Sequence, residues 1–159
     1  MLVTTAVFAQ EPNGTPTYFG NGVVTAAWQV QGGALSDLVV TDKPHHVPIA
    51  VTDPFSLTFK DGSTLGTSDF RLQGALREVA LPVDAKASRL ADRIPGKAVE
   101  GTFLGPKGNI RVDWKLVQRD GSDYLREIVT ITALNADEPI TRVSLFGANA
   151  PDVIADGDH

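Results

Sequence analysis

Residues 110–134 read IRVDWKLVQRDGSDYLREIVTITAL, and their reading decides the fold. Ile110, Val112, Trp114 and Leu116 alternate with Arg111, Asp113 and Lys115. Period-two alternation is the signature of a strand with one buried and one solvated face. Arg119-Asp120-Gly121-Ser122-Asp123 follows, and Asp-Gly supplies the positive φ angles of a tight turn. Residues 124–134 are then rich in β-branched side chains and read as the returning strand. The segment is a β-hairpin.

The same pattern extends outward along the chain. Phe55, Leu57 and Phe59 alternate with Ser56, Thr58 and Lys60 up to Asp61-Gly62. Val24, Ala26, Trp28 and Val30 form another alternation, which Gly32-Gly33 turns into residues 34–40. Shorter candidates are Val79, Leu81 and Val83, then residues 97–104 and 140–146. Gly, Pro, Asn and Asp mark the joints. Helical signal is confined to residues 85–94 (AKASRLADRI), cut off by Pro95-Gly96. The fold class is therefore all-β, an antiparallel β-sandwich with at most one short helix, because half-buried sheets must cover each other.

Composition bounds the function. The chain has 159 residues, enough for one domain with a sizeable core. A net charge of −5 and a pI near 5.0 argue against a nucleic-acid binder, whose footprint is basic. No run of apolar residues is long enough to span a bilayer as a helix. The absence of cysteine removes disulfides, thiol catalysis and zinc–cysteine sites. Residues 1–9 read as a signal-peptide remnant, with Val7 and Ala9 at the small-residue positions before a cut and Gln10 as the new N-terminus. Residues 10–17, with Pro12, Asn13, Gly14 and Pro16, read as a linker, and residues 18–159 as the sandwich domain. The compartment expected is secreted or periplasmic.

Chemistry-bearing residues are sparse. Asp113 and Glu127 are the best carboxylate pair, one on each strand of the hairpin, where glycoside hydrolysis would need two. Both are expected on solvent-facing positions beside Arg111, Lys115 and Arg126, where cross-strand charge pairing accounts for them. His45-His46, after Asp42-Lys43 and between Pro44 and Pro48, reads as a polar loop rather than a metal site. Asp152, Asp156 and Asp158 lack the spacing of a calcium loop, and His159 has no partner at regular spacing. Trp28 and Trp114 fall on apolar phases and are expected in the core. Tyr18 and Phe19, just before Gly20-Asn21-Gly22, read as exposed rings or as rings that pin the linker to the sandwich, and Tyr124 is a further candidate sugar platform. Phe19-Gly20-Asn21-Gly22 lacks the helix and lysine of a phosphate loop, and no Gly-x-Ser-x-Gly elbow occurs. No catalytic, cofactor-binding or metal residue is assigned, and no cofactor is expected.

Two stretches carry a likeness. Residues 21–38 (NGVVTAAWQVQGGALSDL) and residues 120–143, from Asp120-Gly121 through Pro139 to Val143, resemble the galactose-mutarotase-like β-supersandwich that precedes the catalytic barrel in α-galactosidase-like and related secreted glycoside hydrolases, some labelled enterotoxins. The likeness spans about residues 18–150 and rests on strand and turn patterns. It implies a non-catalytic N-terminal domain that packs on the downstream catalytic domain of the same polypeptide, with carbohydrate binding as an added role. No catalytic residue carries over, since the barrel would follow residue 159 and the Glu and His pair of free-standing mutarotases finds no matching position. An independent carbohydrate-binding or adhesion module, and a small sugar epimerase, are the alternative readings.

Overall fold

The computed structural model describes residues 17–135 and 137–149. They form eleven strands in two antiparallel sheets, joined by turns and two short 3-10 segments. The strands are β1 (Thr17–Gly20), β2 (Val24–Gln31), β3 (Ala34–Asp42), β4 (Val47–Phe59), β5 (Thr64–Gly66), β6 (Arg71–Leu72), β7 (Arg77–Leu81), β8 (Gly96–Leu104), β9 (Ile110–Arg119), β10 (Arg126–Ala133) and β11 (Ile140–Asn149). One sheet runs β1-β2-β3-β4-β11, with β5 also paired to β4; the other runs β10-β9-β8-β6, with β7 also paired to β8. The all-β sandwich expected from the alternations is what the chain forms.

The decisive hairpin is β9–β10, with Trp114 opposite Val129 and Val112 opposite Ile131. Directly opposed residues of an antiparallel pair share a face, so these side chains point together into the core. Between the sheets, the Trp28 and Trp114 rings meet edge to face at 6.4 Å. Phe55 makes edge-to-face contacts with Phe70 at 5.1 Å and Phe103 at 6.0 Å. Leu38, Leu57, Ile110 and Leu116 fill the space around these rings. Both tryptophans are core residues, as their phase requires.

Several details differ from the sequence reading. Residues 85–94 contain only a 3-10 segment, Leu90–Arg93, and a second one closes at Thr67–Asp69. The latter is locked by Thr67, which is buried. Its hydroxyl donates to the Phe55 carbonyl at 2.7 Å and accepts the Phe55 N–H at 3.0 Å. Phe19, expected as an exposed ring, is buried in the core cluster, while Tyr18 faces solvent. On β1 these neighbours point to opposite faces, so only one of them could be exposed. β1 opens at Thr17, one residue before the expected start of the domain.

β4 continues through Pro48 and Pro54, residues that ordinarily stop a strand. The β4–β11 register, with Leu145 opposite Phe55 and Gly147 opposite Asp53, would place Phe146 against Pro54. Proline has no N–H to give the ladder. At that point Phe146 adopts φ 55°, a left-handed conformation rare for a bulky residue.

Candidate functional site

The outward face of the β7–β10 sheet carries two polar rows set by its register. Arg77, Glu100, Lys115 and Ile128 lie side by side across β7, β8, β9 and β10. Thr102, Asp113 and Thr130 form the next row. Lys115 Nζ lies 2.8 Å from Glu100 Oε2, and Arg77 Nη2 lies 3.4 Å from Glu100 Oε1. The Thr102 hydroxyl donates to Asp113 Oδ1 at 2.7 Å, and Arg111 bonds the other oxygen through Nε and Nη2. These donors, the Thr102 hydroxyl first, hold the Asp113 carboxyl below its ordinary range despite some burial. Residues 73–75 border the rows and make the face concave, a groove of about 640 Å³. That lies within the span of small-ligand sites.

Glu127 does not belong to this groove, which corrects the sequence expectation. It lies opposite Leu116, in phase with Val129 and Ile131, on the core side of the sheet. Asp113 lies opposite Thr130 and faces outward. The two carboxyls are therefore on opposite faces of one sheet and cannot flank a common substrate. The expectation failed because Ile128, not Glu127, occupies the solvent phase of β10; Ile128 is 38% exposed. Alternation in residues 124–134 is blurred by apolar side chains in both phases, so only the register reveals the orientation.

Inside, Glu127 Oε1 accepts the Trp114 indole N–H at 2.6 Å, and Oε2 is buried. Burial pushes the Glu127 carboxyl up to about 7; the Trp114 donor and the backbone N–H of Phe146 oppose the rise only in part.

Glu127 borders a flank where the sandwich is open. Val143 and Leu145 lie opposite Leu57 and Phe55, both fully buried, and so point to the core side. Yet Val143 is 44% and Leu145 47% exposed. β11 is the last strand of its sheet and β10 the last of the other, so among the described residues no further paired strand flanks these side chains.

The remaining candidates stay apart. His45 and His46 lie in the exposed turn between β3 and β4. His45 Nδ1 is 2.7 Å from Asp42 Oδ2, a contact that lowers the Asp42 carboxyl, and His46 has φ 57°. No group of three His, Cys, Asp or Glu side chains suited to a metal occurs among the described residues. Tyr124 is exposed next to the β9–β10 turn, away from the groove lining. Residues 1–16, together with Asp152, Asp156, Asp158 and His159, lie outside the described residues. Among the described residues no helix is long and apolar enough to cross a membrane. A second hollow, about 490 Å³, lies between Phe59, Leu65, Pro106, Lys107, Ile110 and Pro139 at one end of the sandwich.

No protein-family model matches the chain, and neither a curated protein nor a solved structure shows significant similarity to it.

Proposed function

We propose that the chain is a non-catalytic β-sandwich domain, the N-terminal part of a secreted or periplasmic multi-domain glycoside hydrolase, whose work is to pack on the catalytic domain. The observation that carries this reading is the open flank. Val143 and Leu145 occupy core-side positions on an edge strand and remain nearly half exposed. Soluble proteins blunt exposed edges with charges, prolines or covering segments. β11 has one charged side chain, Arg142, and no proline. A neighbouring domain seated on β10 and β11 would cover the apolar pair and complete the core. The identity of that neighbour rests on the resemblance of residues 21–38 and 120–143 to the sandwich domains of glycoside hydrolases.

The separation of Asp113 and Glu127 onto opposite faces also favours a packing role over hydrolysis, which needs two carboxyls about 5–9.5 Å apart across one substrate. The test is to express the full reading frame of the parent gene beside residues 1–159 alone and to compare amide hydrogen exchange. Slower exchange in β10 and β11 of the longer polypeptide is the expected result. Equal exchange in the two, or a frame that closes at His159, overturns the proposal.

A further inference from the structure

We propose that the open flank receives a cationic side chain, an ammonium or guanidinium carried on a hydrocarbon stem, which pairs with Glu127 when the neighbouring domain seats on β10 and β11. The inference rests on the packing reading for its occupant and adds the chemistry that the occupant must present.

Three strands meet at Glu127. It projects from β10 on the core side, the Trp114 indole of β9 donates to it at 2.6 Å, and the backbone N–H of Phe146 on β11 bonds it as well. Phe146 follows Leu145, so the carboxyl stands within a residue of the exposed apolar pair, Val143 and Leu145.

Both donors are neutral, and among the described residues no charged side chain acts on the carboxyl. On β9, Leu116 lies directly opposite Glu127, while Lys115 faces outward and pairs with Glu100. On β10, Val129 is the next residue on the same face. Arg126 takes the outward phase, where its Nη2 lies 3.7 Å from Asp92. On β11, Arg142 lies opposite Thr58, in the other phase from Val143 and Leu145. A carboxylate in apolar surroundings with no cation beside it is costly, and it responds by holding its proton. That is the condition of Glu127, whose carboxyl burial pushes up to about 7.

A cation brought by a partner removes this cost. Carboxylate oxygens have acceptor capacity beyond two N–H groups, and a charge-assisted bond shielded from water is stronger than one at the surface. Val143 and Leu145 set the other requirement, a hydrocarbon contact beside the charge. Lysine and arginine meet both demands in one side chain, because the methylene stem packs on apolar surface while the head reaches the charge. A purely apolar occupant would bury the carboxyl further without a counter-charge, and an anionic one would repel it.

Hexylammonium chloride stands in for the partner's side chain, with hexanol and sodium hexanoate as neutral and anionic probes of the same length. Each is titrated at pH 8 into isotope-labelled protein up to roughly 20 mM, and amide shifts and the Glu127 carboxyl carbon shift are followed. Saturable shifts around Glu127, Val143, Leu145 and Phe146 are expected with hexylammonium, about tenfold tighter than with hexanol or hexanoate. By linkage, a tenfold preference for the ionised carboxyl lowers the Glu127 titration midpoint by about one pH unit at saturation. Glu127→Gln, which keeps an acceptor for the Trp114 N–H, should bind hexylammonium no better than hexanol. The wild-type midpoint carries the same test if that variant fails to fold. Equal affinity for hexylammonium and hexanol, tighter binding of hexanoate, a midpoint that does not move, or no saturable shift with any probe overturns the inference. Each of those results leaves the packing reading to its own hydrogen-exchange test. A frame that closes at His159 removes the neighbouring domain, while the preference of the flank for a cation is still decided by these titrations.

Discussion

Glu127 makes stability depend on pH in an unusual direction. Its carboxyl ordinarily titrates near 4.5 and is pushed up to about 7 by burial on the core side of β10. A carboxylic acid with a raised folded-state pKa contributes stability that is fully present below its unfolded value and is lost as pH climbs through the folded one. At about 1.36 kcal/mol per pH unit, moving the carboxyl from 4.5 to about 7 corresponds to roughly 3 kcal/mol. Part of the side chain still reaches solvent, which screens the effect, so about 2 kcal/mol is expected between pH 5 and pH 8. Asp113, whose carboxyl is lowered, works in the opposite sense, but its loss of stability lies below its ordinary value of 3.8 and outside this window. Urea unfolding at pH 5, 6, 7 and 8 measures the slope. Glu127→Gln keeps the shape and an acceptor for the Trp114 N–H while removing the titration, so its stability should be nearly flat over the same range. A wild-type stability that rises from pH 5 to pH 8, or a slope that persists in Glu127→Gln, refutes the assignment.

Two other substitutions probe the interior. Trp114→Ala removes a fully buried ring, its contact with Trp28 and the donor held by Glu127, and should cost about 3–5 kcal/mol in urea unfolding; a loss under about 1 kcal/mol would contradict the packing described. Thr67→Val preserves volume but strands both the N–H and the carbonyl of Phe55, so about 2–4 kcal/mol of destabilisation is expected from two buried unpaired groups. A near-neutral Thr67→Val would show that the backbone at Phe55 finds partners elsewhere.

The strands that were legible in the sequence are those with one wet and one dry face. β2 and β9 alternate cleanly, and Trp28 and Trp114 were placed in the core from phase alone. β5 and β6 are three and two residues long and leave no periodicity to read. β4 is legible only from Phe55 onward, because Pro48 and Pro54 look like punctuation and the irregular β11 backbone that meets Pro54, with Phe146 at φ 55°, leaves no local signal. Phe19 was misread because β1 is short and its partner, β2, fixes which side faces in. Glu127 was misread for a related reason. With Ile128, Val129 and Ile131 crowded together, the phase of β10 is set by pairing with β9 and not by its own composition. The polar rows of the groove were visible only as scattered charges until the register of four strands aligned them.

The pairing of β4 with β11 also governs the order in which the molecule can be assembled. Every other pair in that sheet joins strands close in sequence, so β1 to β5 can zip together as soon as they leave the ribosome. One side of β4 then waits for a strand encoded after the whole of the opposing sheet. Closing so long a loop is entropically slow. During synthesis the bare side of a thirteen-residue strand, flanked by Phe55 and Leu57, is exposed to any other nascent chain with an unpaired edge. Production yield should therefore respond to translation speed and chaperone supply more than to the final stability of the sandwich.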